Sequence, residues 1–424
     1  MERLIGIVGI LFFIGVAWLM SENKRQVKWR PVLLGLLLQF LVALFVLKTA
    51  PGRMLFAFLN DVVDAMLGFT TQGATFVFGD LKTKFSSFAL TILPTVIFFS
   101  SFFAVLYYFG ILQLIVKAFA FVLHKLLDVS GAEAVSCAAN VLMGQTEAPL
   151  TIKPFIEGMT HSELMTVMTG GMATVAGGVL AAYVSMGVDA GSLIAASVMN
   201  APAAIVFAKI ITPELAKPLT ADLKAIKVEI LDRNALEAAA RGAGEGVFLA
   251  INIAAMLLAF VATVYLINFF FGIFGTSMEE ILSVVLRPVA FLMGAPWSEA
   301  GNVAALMGKR TILNEFIAYS DLGDLIHIRK LYDAMGDGNI LYTDFPFISN
   351  TIQPMMTLLG SRSIMLASYS LCGFANLSSM AIQLGGIGGM APSRRGEIAS
   401  LGLKSMLAGT MATFLTGTIA LIIF

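Results

Sequence analysis

Apolar stretches long enough to cross a bilayer as helices recur along the whole of this chain. A hydrocarbon core about 30 Å thick takes about 20 residues of helix, and every backbone N–H and C=O inside it needs a partner within protein. Such runs lie at residues 4–20, 32–47, 88–108, 164–184, 192–211, 247–274 and 405–424, with a less regular one at 364–387. They predict an all-α polytopic membrane protein with eight transmembrane helices. Composition agrees: 58% of the 424 residues are hydrophobic and 13% charged, against about 45–50% apolar and about 25% charged in soluble domains.

The same composition excludes several functions. With 27 Lys+Arg against 27 Asp+Glu, no basic surface calls for nucleic acid and no acidic tail for a disordered arm. Cys137 and Cys372, far apart in small-residue runs, make no disulfide framework. His124, His161 and His327 are scattered, without the spacing of a transition-metal centre. The run Gly385-Gly386-Ile387-Gly388-Gly389 lacks the GK[ST] ending of a phosphate loop, and 301–309 fails similarly. No organic cofactor is expected.

Charge sets the orientation. The run 4–20 has no small-residue cleavage site, so it reads as a retained span, and Lys24, Arg25, Lys28 and Arg30 after it mark a cytoplasmic loop. The loop 212–241 carries Lys217, Lys224, Lys227, Arg233 and Arg241, whereas the turn 187–191 carries only Asp189. Arg394 and Arg395 mark a further inner turn, and eight crossings leave both termini outside the cytoplasm. Only Arg329 and Lys330, in a long connection where the charge rule is weak, disagree. Residues 53–69, with Asn60, Asp61 and Asp64 interleaved at helical spacing, suit a helix lying in the interface rather than a span.

Two stretches do not read as simple spans. Residues 131–155 are interrupted by Asn140, Gly144, Gln145, Thr146, Glu147 and Pro149, and residues 298–319 by Gly308, Lys309, Arg310, Thr311, Asn314 and Glu315. Backbone freed by a break survives at membrane depth only beside protein or a water-lined cavity, so each is predicted to be a re-entrant hairpin. Each precedes a span rich in small and polar residues, around 169–178 and 372–379, and then an intact span. By the topology above, the first hairpin opens from the cytoplasm and the second from outside. Such an inverted repeat is the sequence pointer to a secondary transporter with a mid-membrane site.

Within these units Glu147 and Glu315 stand out, because a carboxylate at mid-membrane costs about 2.5–3.5 kcal/mol unless it faces water or a partner. Each could also cap its hairpin's second half-helix, and the two roles are compatible. Gln145, Thr146, Asn376 and Ser379 offer neutral donors and acceptors, with Asn376 and Ser379 on one helix face. They suit a small uncharged ligand rich in hydroxyl and amide groups. Phe374 supplies either a stacking wall or simple packing. Asn140, with carbonyls freed near Met143 and around Thr174 and Val175, offers the oxygens a hard cation takes; alternatively, Asn140 and Thr174 only satisfy each other's backbone.

The strings Gly144-Gln145-Thr146-Glu147-Ala148-Pro149-Leu150, Asn314-Glu315-Phe316 and Cys372-Gly373-Phe374-Ala375-Asn376-Leu377-Ser378-Ser379, in that order, resemble the concentrative nucleoside transporters, over most of the chain. The resemblance implies a nucleoside such as uridine as substrate, its base against Gln145, Thr146, Glu147 and Val179, its ribose against Glu315, Asn376 and Ser379, and Phe374 beside them. It implies sodium at Asn140, Thr174 and the backbone of Met143 and Val175. Proton-coupled relatives carry Ser-Glu-Asn where this chain has Thr146-Glu147-Ala148 and lack the equivalent of Asn140, so sodium symport is expected. The stretch 321–362 is longer than the family pattern leads one to expect, and the chain lacks the extra N-terminal spans of animal members. A bacterial inner-membrane version is the expectation.

The resemblance further implies a homotrimer in which a scaffold of spans one to three and six holds a mobile transport domain. The expected division is scaffold and interfacial helices at 1–130 and a first transport unit at 131–212. A cytoplasmic loop, span six and an interfacial helix follow at 213–297, and a second transport unit at 298–424. Proton coupling through Glu147 or Glu315 is the competing reading. An ion channel would need only a filter and a gate, and an intramembrane enzyme a positioned nucleophile or metal.

Overall fold

The computed structural model describes residues 2–79, 81–82, 88–220, 232–335 and 358–424. Among the described residues the chain is helical, without strands. Its first part comprises α1 (Glu2–Leu19), α2 (Trp29–Lys48), α3 (Ala50–Phe78), α4 (Phe88–Tyr108) and α5 (Ile111–Leu127). Then come α6 (Gly131–Ala139), a 3-10 turn (Ala148–Ile152) running into α7 (Lys153–Ile156), α8 (His161–Ala173), α9 (Gly177–Ser185) and α10 (Ala190–Ile211). The remainder is α11 (Ala235–Gly272), α12 (Met278–Leu292), α13 (Trp297–Ile312), α14 (Glu315–Met335), α15 (Ser361–Ser370), α16 (Leu377–Met390) and α17 (Arg395–Ile423).

Helix starts follow the sequence. Ser130 and Thr160 each stand three residues before a glutamate, and both form reciprocal capping boxes. Ser130 N–H donates to Glu133 Oε2 at 2.8 Å, and Thr160 N–H to Glu163 Oε2 at 2.8 Å. The buried Glu133 is paired by Lys209 Nζ at 2.5 Å, which ties α6 to α10.

The apolar helices fall into two groups. In the α8–α9 unit, α10 and α17, 94%, 83% and 83% of the most apolar stretch is buried, against 33%, 22% and 17% in α2, α4 and α11. An all-apolar helix that is enclosed is surrounded by protein, and one left bare faces lipid or another copy. In the second group α11 packs along α4, where Ser101 Oγ donates to Ala239 O at 2.9 Å.

Glu22, Ile211 and Arg394, in or beside expected cytoplasmic segments, lie at one end of the molecule. Glu22 pairs with Lys404 at 2.6 Å and His161 at 3.5 Å, its N–H donates to Ile211 O at 2.9 Å, and Arg394 Nη1 reaches Met159 O at 2.8 Å. At the opposite end Lys48 Nζ donates to Phe424 O at 3.1 Å, and Asn60 Oδ1 accepts from Ala190 N–H at 3.0 Å. The first hairpin enters at the basic end, where Gly131 N–H donates to Thr220 O at 2.7 Å, and returns there beside Arg394. The second enters at the other end, where Glu299 Oε2 accepts from Gly360 N–H at 2.8 Å and Arg362 reaches Leu421 O at 3.3 Å. Its return arm lays Gly323 against the backbone of Met186 at that same end. The two hairpins therefore point into the protein from opposite ends.

Some boundaries differ from expectation. Seven helices among the described residues are long and apolar enough to cross a membrane, or eight if α12 and α13, bent by 116°, are one span. This set includes α3, because the 53–69 segment continues through apolar and threonine residues into a 29-residue helix. It omits the shorter α1 and the 364–387 run, which is split into α15 and α16. Of the connection 321–362, the part 321–335 continues α14, and 336–357 lies outside the described residues.

Candidate functional site

Both predicted broken spans are broken, and their breaks meet. The chain leaves α8 through extended residues at Thr174 (φ −118°, ψ 168°) and Ala176 (φ −69°, ψ 141°), and Phe374 N–H from the second break donates to Thr174 O at 3.3 Å. The approach is close enough that a Cβ at Gly373 would lie 2.8 Å from Ala173 O and 2.9 Å from Met172 O, so only glycine fits. A buried carbonyl released by a break is costly unless paired. Here Asn200 Nδ2, from the intact α10, donates to Cys372 O at 2.6 Å. Gln383 Nε2 of α16 likewise donates to Met168 O at 3.0 Å, stitching the second unit to the first.

The hairpin tips arrive at this crossing. At the first tip Gln145 is buried, and its Nε2 donates to Ser379 Oγ at 3.1 Å. Gln145 Oε1 is buried without a hydrogen-bond partner among the described residues. Thr146 packs on Gly386, where a Cβ would lie 2.7 Å from its Cγ2. Glu147 Oε2 accepts from Gly144 N–H at 2.8 Å, so it caps the turn, and its side chain remains exposed. At the second tip capping falls to Asn314, whose Oδ1 accepts from Ile317 N–H at 3.0 Å. Glu315 meets its own backbone N–H at the head of α14. Its Oε1 accepts from Tyr183 Oη at 3.1 Å and its Oε2 from Asn376 Nδ2 at 2.8 Å. Asn376 also caps α16, accepting Ser379 N–H at 2.9 Å. Val179 is buried one helical turn before Tyr183, and Phe374 is 9% exposed.

The oxygen-rich residues lie at the root of the first tip. Asn140 is fully buried; its Nδ2 donates to Ser136 O at 3.0 Å, while Oδ1 has no hydrogen-bond partner among the described residues. Thr174 Oγ1 donates to Gly170 O at 2.9 Å. Each side chain therefore satisfies its own helix rather than the other's. Val175 is buried in the break, and Met143 is half-buried with its N–H on Ala139 O at 2.8 Å. A buried acceptor oxygen without a donor is what an oxygen-seeking cation would complete.

Sequence reasoning missed Tyr183, Asn200 and Gln383. The signals were present as polar side chains inside apolar, small-residue helices. It also passed over Lys309 as a structural charge: Lys309 Nζ is buried 2.6 Å from Asp321 and 3.7 Å from Glu279, whose other oxygen accepts from Asn268 Nδ2 at 2.8 Å. This chain borders a cavity of about 240 Å³ between α11 and the second hairpin, walled by Leu257, Val261, Leu313 and Phe316. None of the predicted site residues lines that cavity.

Three family descriptions match successive parts of the chain: Na+ dependent nucleoside transporter N-terminus at 8–81, nucleoside recognition at 89–190, and Na+ dependent nucleoside transporter C-terminus at 192–421. The chain is 41% identical over 427 residues to mouse solute carrier family 28 member 3, covering 99% of itself and 58% of that protein. It thus spans about three fifths of the length of these mammalian relatives. It is also 41% identical to the uncharacterized transporter YutK of Bacillus subtilis (strain 168), covering 99% of each chain. Rat sodium/nucleoside cotransporter 1 is 39% identical, with 64% of its length covered. Among solved structures, CNTnw in an inward-facing substrate-bound state superposes with a TM-score of 0.87 at 37% identity, covering 99% of this chain and 98% of that one. A variant of CNTnw in an outward-facing state gives 0.89 at 35%, covering 100% and 99%.

Proposed function

The chain belongs to the Na+ dependent nucleoside transporter family, and from that premise we propose that it is a transporter rather than an enzyme, importing nucleosides such as uridine by sodium symport. The observation that carries this reading is the meeting of both hairpin tips and both helix breaks at Glu315, Asn376, Ser379 and Gln145. Hairpins entering from opposite ends and meeting at one polar point fit a ligand reached alternately from either side.

In this reading the ribose hydroxyls donate to Glu315 and share Asn376 and Ser379, while the base lies against Gln145, Thr146, Glu147 and Val179 with Phe374 as a wall. Sodium is the co-transported ion, taken by Asn140 Oδ1, Thr174 and the backbone of Met143 and Val175. Its position at the root of the first tip links ion and nucleoside. Holding that turn in place fixes Gln145 and Thr146, so each ligand raises the other's affinity by the same factor. The enclosed helices α8–α9, α10 and α17, with the hairpins, α15 and α16, form the moving part. The exposed α1, α2, α4 and α11 form a scaffold that assembles as a homotrimer in a bacterial inner membrane, both termini outside the cytoplasm.

Equilibrium binding of uridine to the purified chain, in sodium and in choline, tests the reading. Binding tightens with sodium if the coupling is as described; uridine affinity independent of sodium would contradict it.

A further inference from the structure

Glu315 accepts at both oxygens from side chains of different repeats, in addition to the contact with its own backbone N–H. Asn376 Nδ2, on Oε2, belongs to the second broken span, whereas Tyr183 Oη, on Oε1, belongs to α9 of the first. Tyr183 is itself immobilised: it is fully buried, its ring stacks on Tyr319 at 4.4 Å and meets the edge of Phe316 at 5.0 Å. A terminal carboxylate torsion is otherwise broad and nearly two-fold, so a lone donor on one oxygen leaves the plane free to turn. Two donors on opposite oxygens fix that plane. A carboxylate offers about four lone-pair sites, so acceptor capacity remains beside these donors, in a set plane.

We propose that Tyr183 is a positioning residue that sets the Glu315 carboxylate to accept two neighbouring hydroxyls at once, and so gives the site its preference for a cis-diol sugar over a deoxy sugar. The inference rests on the nucleoside reading above. Without the Tyr183 hydroxyl, Oε1 loses its fixed donor and the carboxylate turns about the Asn376 contact. One hydroxyl of a diol then goes unmatched, whereas a ligand with a single hydroxyl has no such pair to lose.

The test is calorimetric titration of the full chain with uridine and with 2′-deoxyuridine in saturating sodium. Wild type is expected to prefer uridine. Tyr183→Phe, which keeps the ring stack, should weaken uridine about tenfold and 2′-deoxyuridine by less than about threefold, the loss of one hydrogen bond to a charged group. Tyr319→Phe removes a hydroxyl from the same stack without touching the carboxylate and should leave the preference intact, which separates positioning from packing. An equal loss for both ligands in Tyr183→Phe, or an unchanged uridine affinity, overturns the proposal. Should that variant not fold, 3-fluorotyrosine at position 183 keeps the shape and alters the donor's acidity; the preference must then shift, and an unmoved ratio overturns the proposal. Wild type that binds neither nucleoside would instead overturn the functional reading itself.

Discussion

Asn376 and Glu315, 61 residues apart in the chain, are joined by a hydrogen bond of 2.8 Å from Nδ2 to Oε2. The bond connects the head of α14, where the second hairpin turns, to the head of α16, where the second broken span resumes. Asn314 caps α14 at Ile317 N–H, and the Glu315 carboxylate meets its own backbone N–H as well as Asn376. In the nucleoside reading proposed above, that carboxylate is the charged acceptor for the ribose. A hydrogen bond to a charged group is worth about 1.5–3 kcal/mol, so Glu315→Gln should weaken uridine binding about ten- to hundredfold. Titration calorimetry reads this directly, and unchanged affinity would remove Glu315 from the site.

Asn140 Oδ1 is a buried acceptor at the root of the first hairpin tip without a donor among the described residues. If sodium completes it, sodium should raise the melting temperature of the wild type relative to choline, by mass action on the folded state. Asn140→Ala should shift the sodium concentration needed for that stabilisation upward by about tenfold, the loss of one ligand oxygen. An undiminished sodium response in the variant would place the ion elsewhere.

The ion pair of Lys309 with Asp321 and Glu279 makes a different kind of prediction. Removing one member of a buried pair leaves an uncompensated charge, at a cost of about 3–5 kcal/mol, whereas removing the whole group is often close to neutral. Lys309→Met should therefore melt at markedly lower temperature, and adding Asp321→Leu and Glu279→Leu should recover most of the loss. Thermal unfolding of the single and triple variants checks it, and a single variant as stable as wild type would contradict the pairing.

Acid sensitivity is predicted at the basic end. Arg241 closes on Asp232 with Nε to Oδ1 at 2.8 Å and Nη2 to Oδ2 at 2.7 Å, which holds the Asp232 carboxyl below its ordinary 3.8. A carboxyl depressed on folding contributes stability above its ordinary value and loses it as pH falls through the folded value. The gap in melting temperature between wild type and Asp232→Asn should thus be constant at neutral pH and close below about pH 4. A gap that persists at the lowest pH would mean that the variant acts through packing.

The helix breaks were legible in the sequence because small and polar residues cluster there. Thr174 to Gly178 and Cys372 to Asn376 cannot continue as lipid-facing helix, and the breaks fall at those residues. The opposed directions of the two units were legible from charge, since the run Lys24 to Arg30 and Arg394 mark one end and the bare turn at Asp189 the other. Less could be read where partners are distant. Tyr183 looks like one more aromatic residue in an apolar helix until Glu315 is brought 3.1 Å from its hydroxyl. The full length of α3 was hidden because Asn60, Asp61 and Asp64 give its first half an interfacial pattern that does not extend to its second. Helix polarity is local information, but which polar group pairs with which depends on how the two repeats close on each other.

Uptake of labelled uridine into proteoliposomes holding the full chain tests the central claim most directly, with an inward sodium gradient, with a pH gradient in sodium-free buffer, and with neither. Accumulation above equilibrium in the sodium arm alone is the predicted result. Accumulation driven equally by the pH gradient would contradict sodium coupling, and no accumulation in any arm by folded protein would contradict nucleoside symport altogether.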